Sequence, residues 1–162
     1  MITKIRLLNW KSFKDSTIYI DSLGILIGTN ASGKSNVLDA FAFLHAVGEG
    51  KSLLDAIQTV RGGEDWIIRR GEDFFCIEIE IEIDGSFYLL NLRVVKRNSV
   101  FSFGPCEVRR LGIEDGDVVP DKFIDSARNI TWKTYDVPIL LDFWTKIYAT
   151  FRNIIILDPV PA

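Results

Sequence analysis

The chain has 162 residues, 48% hydrophobic and 25% charged, an ordinary balance for one globular domain with a real core. A formal net charge of −3 and a pI near 5.2 exclude a chain-wide basic nucleic-acid footprint, though not a local patch. Cys76 and Cys106 are far apart and His45 is the lone histidine, so a zinc site is not expected and two thiols in a reducing cytoplasm are. No apolar block suits a signal peptide or a membrane span.

Loose alternation over residues 2–9, with Ile5 and Leu7 on one side and Lys4 and Arg6 on the other, predicts a strand. Residues 17–20 predict a second. The apolar run Leu23-Gly24-Ile25-Leu26-Ile27 predicts a third, short and buried, before a glycine-rich loop. A helix over 35–47 follows, apolar on most sides and so buried, ended by Gly48 and Gly50. His45, near its end, suits capping or solvation better than catalysis. Ser52-Leu53-Leu54-Asp55 resembles a capping box and opens a shorter helix through Val60.

From Phe74 to Asp84, isoleucines alternate with Glu78, Glu80, Glu82 and Asp84, which predicts a strand with one buried face. Asp84-Gly85 is a favoured hairpin turn, and pairing Ile83 with Ser86 sets Ile81 against Tyr88, Ile79 against Leu90 and Ile77 against Leu92. The glutamates read as a solvated strand face rather than a metal or acid–base site, because nothing else supplies ligands at a matching spacing. Residues 100–111 predict a further strand, edged or broken at Pro105, and Asp115-Gly116 a turn. Residues 121–136 carry no clear pattern and predict irregular chain. A helix from about Pro138 carries the stripe Leu140, Trp144, Ile147 and Phe151, capped by Asp136. A last apolar run, Ile154-Ile155-Ile156-Leu157, stops at Asp158-Pro159.

The loop carries the chemistry. Gly28-Thr29-Asn30-Ala31-Ser32-Gly33-Lys34-Ser35 fits G-x-x-x-x-G-K-[ST], a pattern expected by chance in roughly one of a few hundred chains of this length. Strand before and helix after are the context it requires. Lys34 would set an ammonium beside the β- and γ-phosphates, and Ser35 would offer a hydroxyl to Mg²⁺. The backbone N–H groups over 30–35 and the positive end of the helix would complete an anion nest. The competing reading is a glycine-rich turn that merely starts a helix.

On these residues the sequence resembles the ABC-type ATPase heads of the SMC, RecF and OLD class, and in particular bacterial AAA family ATPases of the AAA-21 or RecF-like kind. The opening Ile5-Arg6-Leu7-Leu8-Asn9-Trp10-Lys11-Ser12-Phe13 is similar to their I-x-L-x-N-[FW]-[RK]-S-F, and residues 28–36 match their phosphate loop, including Asn30 and Asn36. Ala31 departs from the commoner Gly. A weaker likeness runs from Gly62-Gly63 through Arg69-Arg70-Gly71 into a strand pair. The resemblance implies an α/β fold: the N-terminal lobe of a P-loop NTPase (ABC-ATPase-like) with an antiparallel β-rich subdomain. Residues 1–60 would hold the nucleotide strands, loop and helices, 72–119 the β-rich region, and 137–162 a helix and a final strand leading out. It implies ATP and Mg²⁺ as ligands, contacted by Gly28, Thr29, Asn30, Ala31, Ser32, Gly33, Lys34, Ser35 and Asn36, with Lys34 catalytic and Ser35 on the metal. It further implies a head-to-head homodimer or a completing partner, DNA-linked repair or antiphage work, and a Trp10-Lys11-Ser12 segment near the nucleotide.

Two elements of a hydrolytic head are missing from the sequence: an LSxG-like loop, and an apolar run followed by Asp-Glu. Asp158 reads either as a Mg²⁺-side Asp or as part of an I-L-[DN]-P entry to an inserted arm, the second being favoured. The expectation is therefore an ATP-binding lobe of a longer protein, a truncation or half of a split head, which binds without efficient turnover until completed. A nucleotide-binding switch without hydrolysis, and a different P-loop NTPase or small-molecule kinase, are the alternatives.

Overall fold

The computed structural model describes residues 1–21, 24, 26–29, 32–111, 118–124, 130–131 and 137–156; the side chains of 106–107, 109–110, 118–124, 130–131 and 137–143 fall outside the description. The described strands are β1 (Ile2–Trp10), β2 (Phe13–Tyr19), β3 (Phe74–Ile83), β4 (Ser86–Arg97), β5 (Val100–Phe103), β6 (Pro105–Arg110), β7 (Val118–Ile124) and β8 (Ile130–Thr131). They form one antiparallel sheet in the order β2-β1-β3-β4-β6-β7-β8, with β5 also on β4. The helices are α1 (Lys34–Gly48), α2 (Leu53–Gln58), α3 (Gly63–Trp66) and α4 (Val137–Arg152). None of the described helices is long and apolar enough to cross a membrane.

The β3–β4 hairpin carries the fold, and its register follows from its side chains. Ile83 pairs with Ser86, Ile81 with Tyr88, Ile79 with Leu90 and Ile77 with Leu92. A slip of one residue would turn every isoleucine out of the core. Asp84 and Gly85 both take positive φ, 50° and 74°, as a tight primed turn requires. The inward isoleucines join Ile5 and Leu7 of β1 and Leu90, Leu92 and Val94 of β4 in one buried cluster with Phe43 and Leu44 of α1, Ile57 of α2 and Trp144, Ile147 and Phe151 of α4. Helices α1, α2 and α4 thus cover one face of the sheet, and Trp144, Ile147 and Phe151 of the stripe read in α4 are buried, while the Leu140 side chain lies outside the description. Gly48 closes the packing of α1 on α4: a Cβ there would lie 2.6 Å from the amide nitrogen of Arg152.

The opposite face is polar and largely self-neutralised. Arg6 grips Asp15 with two bonds of 2.8 Å and Glu78 with one of 3.0 Å, while Lys4 lies 3.4 Å from Glu80. Glu78 and Glu80 therefore serve cross-strand pairing. The guanidinium of Arg6 holds the Asp15 carboxyl below the usual carboxylate range. Cys76 sits beneath this face, its Sγ 3.0 Å from Asn91 Oδ1, and burial pushes its thiol up to about 12. At pH 8 roughly one molecule in ten thousand would carry the thiolate, the reactive form. Iodoacetamide at pH 8 is thus expected to leave the Cys76 peptide unlabelled in the folded chain and to label it in denaturant; stoichiometric labelling of native protein within minutes would contradict the burial.

Three expectations change. The described residues of the apolar run before the loop form no strand: Gly24, Leu26 and Ile27 lie in no ladder, and Leu26 and Ile27 are 40% and 91% exposed. Their hydrophobicity suits a buried parallel strand, but no described strand lies beside them to supply the ladder. The stretch over 121–136 is not wholly irregular, because 121–124 belong to β7, paired with β6, and 130–131 to β8. Long-range pairing, invisible to local pattern, decides such strands. Residues 154–156 extend beyond α4 without a ladder, and Ile155 is 83% exposed. The turn at Asp115-Gly116, the Asp136 cap, and Leu157, Asp158 and Pro159 lie outside the described residues.

Candidate functional site: the glycine-rich loop and its collar

The described residues of the glycine-rich loop lie where the chain enters α1, with Gly28, Thr29, Ser32 and Ser35 exposed. Gly28, Thr29, Ser32, Gly33, Lys34, Ser35 and Asn36 are described; Asn30 and Ala31 are not. Gly33 is the N-cap of α1, with φ 93°, and a Cβ on it would sit 2.6 Å from the Phe13 ring. Only glycine meets both demands, a left-handed backbone and contact with an aromatic edge. The first intrahelical bond runs from Val37 N to Gly33 O at 3.1 Å. The amides of Lys34, Ser35 and Asn36 therefore have no partner one turn back, as at any helix start. No side chain caps this end and no acidic residue lies in its first turn. The partial positive charge of the helix is left available to an anion.

Lys34 closes over the loop. Its ammonium donates to Gly28 O and Thr29 O at 2.6 Å each, and lies 3.3 Å from Ser32 Oγ. Ser32 N bonds Thr29 O at 3.3 Å and tightens the same turn. A cation held by exposed carbonyls and a hydroxyl can exchange them for phosphate oxygens, which are stronger acceptors. Ser35 is exposed in the first turn of α1, beside the open amides. Lys34, the amides of 34–36 and the helix end are donors of the kind that phosphate oxygens accept from, and the Ser35 hydroxyl in the same turn is an oxygen of the kind that a hard cation takes. Among the described residues no group of three or more His, Cys, Asp or Glu could hold a metal unaided.

The turn between β1 and β2 forms a collar around this helix start. Trp10 is fully buried, and its indole N–H donates to Asn36 O at 2.7 Å. Asn36 Nδ2 donates to Ser12 Oγ at 2.7 Å, and Phe13 lies against Gly33. The Trp10 ring is wedged edge-on against Phe75, with centroids 5.0 Å apart, and tilted against Phe43 at 5.9 Å. Asn9 and Lys11 both have φ 52°. This backbone is unusual for side chains larger than glycine, and here it is bonded on both sides to one segment: Lys11 N to Ile67 O at 3.0 Å and Arg69 N to Asn9 O at 2.8 Å. The opening sequence motif is thus the socket into which the helix start fits.

Sequence reasoning missed the ionic part of the collar. Lys11 donates to Asp39 Oδ2 and, at 2.9 Å, to Arg61 O; Arg61 Nε lies 3.6 Å from Asp39 Oδ1. A carboxylate inside a helix otherwise apolar on most sides was the available signal.

Residues 1–155 match the AAA_15 family model, described as an AAA ATPase domain. The chain is similar to curated DNA double-strand break repair Rad50 ATPases. The protein of Thermoplasma volcanium is 30% identical over 120 residues, 74% of this chain and 12% of that protein; the one of Sulfolobus acidocaldarius is 30% identical over 95 residues, 58% and 10%. It is also 32% identical over 82 residues, half of its length, to the DNA replication and repair protein RecF of Flavobacterium johnsoniae, of which it covers 20%. The chain spans at most a fifth of the length of these relatives.

Proposed function

Because the chain belongs to the AAA ATPase domain family, we propose that it is the ATP-binding N-terminal lobe of an ABC-type, RecF-like ATPase head, with its antiparallel sheet as the β-rich subdomain. One observation carries the reading: an uncapped helix start behind a G-x-x-x-x-G-K-S loop, with a lysine ammonium resting on the loop's own carbonyls. In this reading Lys34 and the amides of 34–36 hold the β- and γ-phosphates, and residues 28–33 wrap them. Ser35 ligates Mg²⁺, which when bound neutralises phosphate charge. Lys34 is the catalytic residue of the set, placed to stabilise charge on the transferred group.

The lobe binds nucleotide and turns it over efficiently only when completed, by a second head or by elements supplied elsewhere. Leu26 and Ile27 support this, since two apolar residues stand exposed directly before the loop. A head-to-head homodimer or a protein partner would cover them. The names of the relatives place their work on DNA, and DNA-linked repair is the role proposed for the completed protein.

Titration calorimetry of the chain with ATP, with and without Mg²⁺, tests the reading. Saturable, Mg²⁺-strengthened binding is expected, with ATP displaced poorly by GTP or CTP. No binding at millimolar ATP would refute it, and equal competition by all three would favour another P-loop enzyme. Rapid Lys34-dependent turnover by the chain alone would refute the need for completion.

A further inference from the structure

Asp39 is one of two polar residues buried among the described residues, the other being Asn9. It stands in the second turn of α1, its side chain 5% exposed, and meets the ammonium of Lys11, a side chain 10% exposed. Arg61 reaches it from the corner between α2 and α3 with a side chain 55% exposed. One carboxylate therefore gathers three segments distant in sequence: the collar turn, the helix that follows the phosphate loop, and the 59–63 corner.

We propose that Asp39 is a positioning residue for the phosphate loop, acting through Lys11 and Arg61. Energetics argue against mere reinforcement. A buried ion pair gains little over an apolar pair of similar size, because desolvation offsets the attraction. What the charges add is direction: Lys11 reaches Asp39 and the Arg61 carbonyl from a backbone in the left-handed region. That backbone delivers Trp10 to Asn36 O, Ser12 to the Asn36 amide and Phe13 to Gly33. Asp39 thus fixes the collar, and the collar fixes the first turn of α1, from which the phosphate amides project. A site must hold its groups to a fraction of an ångström, so a loosened collar costs affinity without unfolding the domain. The affinity part of this inference rests on the nucleotide reading above; the geometric part does not.

The test compares the wild-type chain with Asp39→Asn, Lys11→Arg and the double variant Lys11→Met/Asp39→Leu. Amide hydrogen exchange is followed over 34–38 and over the β3–β4 hairpin, together with thermal melting and MgATP affinity. Asp39→Asn leaves the Lys11 charge unpaired and is expected to lower the melting temperature. In the double variant the melt is expected to return towards wild type, with exchange over 34–38 still about tenfold faster, the hairpin unchanged and ATP binding about tenfold weaker or worse. Lys11→Arg keeps the charge and is expected to stay near wild type in all three. Recovery of exchange and affinity along with the melt would reduce the pair to a structural role and overturn the proposal. If the double variant does not fold, Asp39→Asn decides: faster exchange confined to 34–38 supports positioning, and equal acceleration in the hairpin overturns it. A wild-type chain that binds no ATP would refute the function proposed above, while the exchange comparison still decides this one.

Discussion

Replacing Lys34 with alanine is expected to weaken MgATP binding about a hundredfold while leaving the melting curve in place. Lys34 has its three hydrogen-bond contacts within the loop, with Gly28 O, Thr29 O and Ser32 Oγ, and all are exposed. None crosses into the core, so stability should move by no more than about 0.5 kcal/mol, as for other surface changes. Alanine also suits a helix start at least as well as lysine. Binding is another matter. The ammonium is the only full positive charge that the loop sequence, 28–36, can offer to phosphates. Losing a charge-assisted contact and leaving anionic oxygens unmatched costs about 3 kcal/mol, roughly a hundredfold in affinity. Calorimetry of Lys34→Ala beside wild type at equal salt checks this. An unchanged affinity would remove the phosphate role from the loop. A collapsed melt would show that the Lys34 bridge has a structural role that its geometry does not suggest.

Trp10→Ala is expected to cause the largest loss of stability of any single change in the collar. The indole is fully buried between Phe43 and Phe75, themselves edge-on at 5.6 Å. Truncation would open a cavity at the junction of β1, β3 and α1, and large-to-alanine changes of this kind cost about 3–5 kcal/mol. Domains of ordinary stability have only about 5–15 kcal/mol in total, so the variant should melt far lower and populate unfolded chain. Trp10→Phe separates packing from hydrogen bonding. It keeps most of the ring and loses the N–H to Asn36 O, a change of about 1 kcal/mol. Urea unfolding of the three proteins should rank wild type, Trp10→Phe and Trp10→Ala in that order. Equal midpoints for Trp10→Phe and Trp10→Ala would place the whole effect in the hydrogen bond instead.

Both results bear on how the opening motif is read. In the sequence, Trp10-Lys11-Ser12-Phe13 follows a strand and could be placed near a nucleotide only by resemblance. In the structure each of the four residues has a defined job at the helix start. Trp10 and Ser12 bond Asn36, Phe13 covers Gly33, and Lys11 meets Asp39. The motif and the phosphate loop are two halves of one local structure, although more than a dozen residues separate them.

What was legible in the sequence was local. The hairpin register could be derived from the isoleucine alternation and Asp84-Gly85, because period two and a tight turn leave a single pairing that buries the apolar face. The Ser52 cap was legible too: its Oγ accepts from Asp55 N at 3.2 Å and donates to Asp55 Oδ2 at 2.6 Å. The loop announced itself because phosphate binding fixes both residue types and their spacing. Tertiary structure decided the rest. The run at 23–27 has the composition of a buried strand, yet burial depends on neighbouring strands, and Leu26 and Ile27 stand exposed with no described strand beside them. The strands within 118–131 have weak local pattern and exist through pairing, β7 with β6 and β8 with β7. Asp39, Lys11 and Arg61 lie far apart in sequence, and no spacing rule joins them. A sequence carries short-range period and short-range chemistry directly, whereas the partner of a buried charge or of an unpaired strand is set only when distant segments meet. For this chain, the loop was written in the residues, and the collar that holds it was decided by the fold.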